Sequence, residues 1–348
     1  MKKKLALALA AAMIMSLALA GCGGNDKPAA SSGNASAGGS ASASASQPAS
    51  DGLAPKDGGT SLTFTTGGET GTYYGFGNVI ANKVGDLTST SVKAISSGGS
   101  AANIQALEDG DAQLGFVQSD VMVYAFNGER TFAETGACTG FSTVANLYME
   151  QVQIVTVDPS IKTVADLAGK KVSVGAAGSG VYFNAVDVLG CYDMTIEDIS
   201  PVYQSFGDSA DSLKDGKIDA AFIVAGAPTT AITDLSTSGQ VYLVSLDDEH
   251  IDKLLAASPY YSKYTVTADT YGMPEDAQTV AVAAMVIARN DVSEDAIYTF
   301  VSTIFENADQ LQHGKAAELN LEFASSITSV PYHPGAARYF AEKGIDVG

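Results

Sequence analysis

The sequence predicts an α/β protein built as two lobes that face each other across a cleft, and three observations carry that prediction. Strand-like and helix-like stretches alternate from Ser61 onward, the order that produces a parallel sheet covered by helices. A similar arrangement recurs about 106 residues later. The chain has 348 residues, of which 46% are hydrophobic, which is more than one simple core requires.

The first strand is expected at 61–66. The turn Gly67-Gly68-Glu69-Thr70-Gly71 leads into a helix over about 72–84. A strand follows at 91–95, then Gly98-Gly99 and a helix from Ser100, with Ile104 and Leu107 on one face and Gly110 as its C-terminal stop. The next strand is 113–117. In the second copy, Leu107-Glu108-Asp109-Gly110 is matched by Leu213-Lys214-Asp215-Gly216, and Phe116-Val117 by Phe222-Ile223. The segment from Thr66-Gly67 through Gly71-Thr72-Tyr73 is matched by Val174-Gly175 through Gly180-Val181-Tyr182. Each lobe therefore opens with a strand, a glycine loop and a helix. Late in the chain, 279–288 is apolar and strand-compatible. A helix then starts after Ser293, with Ile297, Phe300, Val301, Ile304, Phe305, Ala308 and Leu311 on one face. This reads as a return to the first lobe, which takes residues 60–155 and 275–348 and leaves 156–274 to the second.

The N-terminus carries an export signal. Lys2, Lys3 and Lys4 precede an apolar run over 5–20 that is short for a membrane span and ends Leu19-Ala20-Gly21-Cys22. That ending resembles a bacterial lipobox, so 1–21 is expected to be a lipoprotein signal peptide and Cys22 the lipidated residue. Residues 22–59 are rich in Gly, Ser and Ala and bury too little apolar surface to offset their ordering entropy. They read as a tether of about 37 residues, holding the body roughly 30–35 Å from a membrane anchor. An extracytoplasmic, membrane-anchored location follows.

The net charge is -20, from 39 acidic and 19 basic residues. Such a surface repels phosphate backbones, which argues against nucleic acid as a partner. His250, His313 and His333 lack metal-ligand spacing, and there is no Walker loop, no Gly-x-Ser-x-Gly elbow and no HExxH, so neither an enzyme nor a metal or other cofactor is expected. Cys138 and Cys191 fall in different lobes, where a bridge would oppose lobe motion, and are expected to be free thiols. A monomer is expected.

The candidate site is the pair of glycine loops. Helix N-termini carry unsatisfied N–H groups and partial positive charge, so each loop can hold an anion without a basic side chain, and neither loop has one. Gly71, Thr72, Tyr73 and Tyr74 are the first lobe's candidates, joined by Ser100, Gln118 and Ser119. Adjacent tyrosines at 73 and 74 cannot share a helix face, so one of them should meet the cleft. Ser179 and Gly180 are the second lobe's candidates for a ligand carboxylate. Glu69, if turned inward, would pair with an ammonium group.

The residues also carry a family resemblance. Thr66-Gly67-Gly68-Glu69-Thr70-Gly71-Thr72-Tyr73-Tyr74-Gly75-Phe76-Gly77, Ser97-Gly98-Gly99-Ser100-Ala101-Ala102-Asn103 and Phe116-Val117-Gln118-Ser119-Asp120 resemble motifs of TAXI-type solute receptors of TRAP transporters. So do Val172-Ser173-Val174-Gly175 through Ser179-Gly180, Ser205-Phe206 through Asp215-Gly216-Lys217-Ile218-Asp219-Ala220, and the tail over 331–340. The resemblance spans nearly all of 61–345, with two departures: Glu69-Thr70 stands where Thr-Gly is frequent, and Gly75 where Pro is frequent. It implies a type II periplasmic-binding-protein fold that closes on a small carboxylate ligand, a glutamate-like amino acid or organic acid, and delivers it to the membrane permease of a TRAP transporter. The alternative is the receptor of an ABC importer with the same fold. An extracytoplasmic enzyme and a sensory receptor are the remaining readings, the former opposed by the missing acid–base–nucleophile set.

Overall fold

The computed structural model describes residues 59–348; the expected signal peptide, Cys22 and most of the expected tether lie outside the described residues. The first strand β1 (Ser61–Thr65) passes through the glycine turn into α1 (Thr72–Leu87). Then come β2 (Ser91–Ile95), α2 (Ser100–Glu108), β3 (Leu114–Gln118) and α3 (Ser119–Asn127), followed by the long strand β4 (Phe141–Thr156). The second half runs β5 (Lys171–Ser173), α4 (Val181–Cys191), β6 (Ser200–Val202), α5 (Phe206–Lys214), β7 (Ala220–Ala225), α6 (Thr230–Ser238), β8 (Tyr242–Leu243), α7 (Asp248–Ala257) and β9 (Ser262–Val266). A second long strand β10 (Ala277–Arg289) precedes α8 (Glu294–Glu306), α9 (Leu321–Ala324) and α10 (Pro334–Glu342).

The strand order is β2-β1-β3-β10-β4-β7-β5-β6. It reads as two parallel halves, β2-β1-β3 and β7-β5-β6, joined by the antiparallel pair β10 and β4. Strand β10 pairs with β3 through residues 284–288 and with β9 through 277–281. Strand β4 pairs with β10 over most of its length and then with β7 through 151–155. The result is a mixed α/β sheet of two parallel halves bridged by one antiparallel pair.

Local chemistry explains the element ends. Gly110 takes φ +83° just past α2, where an L side chain would be strained. Ser293 caps α8 by accepting a hydrogen bond from the N–H of Ala296 at 3.2 Å. Helix α8 ends at Glu306, yet Leu311 beyond it stays buried in the same cluster as Ile297, Phe300, Val301 and Ile304. That cluster also contains Leu62, Phe64 and Phe76 of the first segment and Tyr339 and Phe340 of α10, so the chain's last seventy residues and its first strand share one core. A separate cluster gathers Ile154, Val172, Val188, Leu189 and Phe222.

Among the described residues no helix is long and apolar enough to cross a membrane. Cys138 is partly exposed, Cys191 is buried in α4, and both are free thiols. Burial raises the pKa of each. Alkylation of the folded protein, mapped by peptide, should label Cys138 ahead of Cys191, and unfolding without reductant should expose both to full labelling. A pair protected until reductant is added would contradict this arrangement.

Candidate functional site

A cavity of about 60 Å³ lies where the two halves meet. By the volume one water needs, it holds roughly four to six water-sized groups. Its walls come from the starts of three helices: Gly71, Thr72 and Tyr73 of α1, Gly99 and Ser100 of α2, and Gly180 and Val181 of α4. None of the three has a side-chain cap, and the residue before each is glycine. Side-chain caps are present at Ser205 for α5, Asp247 for α7, Ser293 for α8 and His333 for α10, and absent at α3 and α6, where Gln118 and Thr229 precede the helix. Uncapped first turns present backbone N–H donors and the positive end of the helix dipole to whatever occupies the cavity.

The aromatic floor is fixed by the core. The Tyr73 ring stacks on Phe116 at 4.6 Å, and Phe116 in turn stacks on Phe64 at 4.9 Å. Tyr73 Oη, Ser179 Oγ, Gln118 Oε1 and Glu150 Oε2, all on cavity-lining residues, are buried without a hydrogen bond of good geometry, although the Tyr73 phenol lies close enough to Glu150 to favour its ionised form. Unpaired buried polar atoms of this kind are costly and rare in native proteins.

Of the residues expected from sequence, Gly71, Thr72, Tyr73, Ser100, Gln118, Ser179 and Gly180 line this cavity. Three do not. Tyr74 is the next residue on α1 and points about 100° away from Tyr73. Ser119 is fully buried, and its Oγ accepts a hydrogen bond from the N–H of Ala283 on β10 at 3.3 Å. Glu69 is exposed and lines an outer groove with Thr70, Asp208 and Asp211.

Of the lining residues that sequence reasoning missed, Glu150 is the one with a charged side chain, 2% exposed and paired with Val282 where β4 and β10 meet between the halves. Burial pushes its carboxyl up to about 8, the Tyr73 and Tyr148 phenols and Lys315 pull it down, and Asp120 adds to the rise. Its sequence signal is that it is the one acid within β4, an otherwise apolar and amide-rich strand.

The halves are closed on each other. Thr72 Oγ1 donates to Gly226 O at 3.0 Å, Ala102 N to Gly178 O at 2.9 Å and Ala231 N to Thr70 O at 3.2 Å. Gln118 Nε2 donates to Asn184 Oδ1 at 2.9 Å, and Asn184 Nδ2 to Asp120 Oδ2 at 3.1 Å. Arg130 pairs with Asp187 at 2.7 Å at the rim. Gly180 permits this approach, because a Cβ there would overlap the Gln118 side-chain amide. Asp120 is fully buried, and burial first, then the charge of Asp187, raise it to about 7.

The arrangement suits capture of a small polar molecule. Among the described residues no group of three or more His, Cys, Asp or Glu side chains is placed to hold a metal ion. Residues 64–344 match the family described as NMT1-like. The chain belongs to the NMT1-like family. Solved structures similar to this NMT1-like protein include the alkanesulfonate-binding protein of Xanthomonas axonopodis pv. citri bound to MOPS, with 14% identity, 81% of this chain and 83% of that one covered, and a TM-score of 0.47. A putative L-cystine ABC transporter protein from Listeria monocytogenes gives 14% identity, 76% and 95% coverage and a TM-score of 0.45. The amino acid ABC transporter substrate-binding protein of Streptococcus pneumoniae bound to L-arginine gives 14%, 74% and 92%, and 0.44.

The two raised carboxyls set a pH dependence. A group whose folded pKa lies above its unfolded value keeps its proton in the folded state after the unfolded chain has lost it, so stability falls as pH rises across that interval. For Glu150, faced by Tyr73, Tyr148, Asp120 and Lys315, the interval runs from 4.5 to about 8. For Asp120, faced by Asp187, Asn184, Tyr124, Tyr261 and Glu150, it runs from 3.8 to about 7. Urea unfolding at about pH 5 and about pH 8 should show a loss of stability that Glu150→Gln and Asp120→Asn each reduce. An unchanged difference in both variants would contradict the buried, proton-holding state of these carboxyls.

Proposed function

We propose that this NMT1-like protein is an extracytoplasmic solute-binding lipoprotein. It captures a small carboxylate-bearing molecule, an amino acid or organic acid, between two lobes and presents it to a membrane permease. The lobes are residues 60–155 with 275–348, and 156–274. The observation that carries the reading is the cavity itself, whose glycine-started, uncapped helix N-termini come from both halves and converge on one small space. A ligand held by both lobes binds the closed form more tightly than the open one, and closure follows from that difference. Cys22 would carry the lipid anchor.

The permease partner is assigned to an ABC importer. The motif resemblance to TAXI receptors points to a TRAP transporter, whereas the similar Listeria and Streptococcus structures bear the names of ABC transporter proteins. The TRAP partner is the alternative, and uptake in energised vesicles separates the two. ATP-dependent uptake that survives collapse of the ion gradients fits the first reading, and gradient-driven uptake without ATP the second.

Thermal shift followed by calorimetry with a panel of amino acids and organic acids tests the capture reading. One or more members should raise Tm in a concentration-dependent way. Ser179→Ala should weaken binding of that member by about 1–3 kcal/mol through loss of a buried hydrogen bond. No stabilisation by any member, or binding that Ser179→Ala leaves untouched, would remove this site. Cys22→Ala should shift the protein from the membrane fraction to the soluble fraction.

A further inference from the structure

Resting on the capture reading above, we infer that the solute carries a protonated amine beside its carboxylate and that Glu150 receives this amine at the floor of the cavity.

The first support is placement. Glu150 is essentially buried, lines the cavity beside the Tyr73 and Tyr148 phenols that favour its ionised form, and leaves Oε2 without a hydrogen bond of good geometry. Gln118 Oε1, a second acceptor without a partner, is on another residue lining the same space, next to Gly180. Two unpaired acceptors call for a donor-rich group, and an ammonium brings three donors where a hydroxyl brings one and a ketone none.

The second support is charge. The cation nearest Glu150 is Lys315, whose Nζ pairs with Glu318 Oε1 at 2.6 Å. Glu318 Oε2 in turn accepts from the N–H of Met149, next to Glu150 in sequence. One ammonium thus serves two carboxylates, and no Arg or Lys lines the cavity. A buried carboxylate without its own cation is expensive, and a cationic ligand relieves that cost.

The third support is the entrance. The outer groove is lined by Glu69, Asp208 and Asp211, and it shares Gly68, Ser97 and Ser205 with the inner cavity. An acidic approach raises the local concentration of cationic and zwitterionic solutes and repels dianions. Glu69 therefore belongs to the approach, and the ammonium partner is Glu150. The ligand is a compact zwitterion, its carboxylate at the glycine-started helices and its nitrogen at the crossing of β4 and β10.

Isosteric pairs test this directly by calorimetry: L-alanine against L-lactate, L-serine against L-glycerate, and L-glutamate against L-2-hydroxyglutarate. In the wild type the preferred amino acid should bind on the order of a hundredfold more tightly than its hydroxy partner. Glu150→Gln should lose most of that preference. Binding near neutral pH should also release protons, because a cation beside Glu150 displaces the proton that burial holds there against the influence of Tyr73, Tyr148, Asp120 and Lys315. Heats measured in buffers of different ionisation enthalpy read this release, and Glu150→Gln should abolish it. Equal affinity within the wild-type pairs, or a folded Glu150→Gln protein with unchanged selectivity, overturns the inference. The wild-type comparison decides even if that variant fails to fold. Hydroxy or dicarboxylic acids that bind tightly and are weakened by Ser179→Ala would leave the capture reading standing and sink only this inference. Failure of every compound in both series would sink both.

Discussion

Two strands cross between the halves of this molecule, and they cross as one hydrogen-bonded antiparallel pair. Strand β10 pairs with β3 of the first parallel set, β4 pairs with β7 of the second, and the two pair with each other between them. The register shifts twice along it, between Ala284 and Met285 and between Val286 and Ile287. Such irregularities bend and twist a ladder locally, which suits a connection that must flex without breaking. The same pair carries Glu150 opposite Val282, so the element that joins the lobes also floors the cavity.

In the proposed capture reading, closure about this pair sets favourable and unfavourable terms against each other. The contacts between the halves are a few hydrogen bonds and the Arg130–Asp187 pair, each of which contributes about 1 kcal/mol or less in net terms, together with the packing of Phe183 and Tyr260 against Tyr124 and of Phe183 against Phe132. Against them stand buried polar atoms left without partners at Tyr73, Gln118, Glu150 and Ser179. A bound solute that satisfies those atoms tips the balance toward the closed form, and one that satisfies only some tips it less. Selectivity and closure are then the same free energy seen from two sides. The stack from Phe64 through Phe116 to Tyr73 keeps the first lobe's wall rigid during this exchange, because moving the Tyr73 ring would disrupt a packed core.

Much of the architecture was legible in the sequence. Helices α2 and α5 start at Ser100 and Phe206, the offset that the Leu107 and Leu213 motifs anticipated, and each is followed by a strand after a short turn. The glycine loops were legible because a strand, a glycine-rich turn and a helix start recur in each half. Strand β4 was not legible. It is buried on both faces, so it lacks the alternation that marks a half-exposed strand, and an apolar run gives no register. Glu150 went unseen for that reason, although a lone acid in such a run is itself a signal. Ser119 was misassigned to the cleft because residue type cannot tell whether a hydroxyl faces a ligand or, as here, the N–H of Ala283 on the hinge strand.

The most direct measurement is a crystal structure of the protein grown with the amino acid that stabilises it most. The account predicts one compact molecule in the cavity between the halves. Its carboxylate should lie within hydrogen-bond distance of the first turns at Gly71, Ser100 and Gly180, and its nitrogen within hydrogen-bond distance of Glu150. A ligand seated in the outer groove, or one that turns its carboxylate toward Glu150, would contradict it.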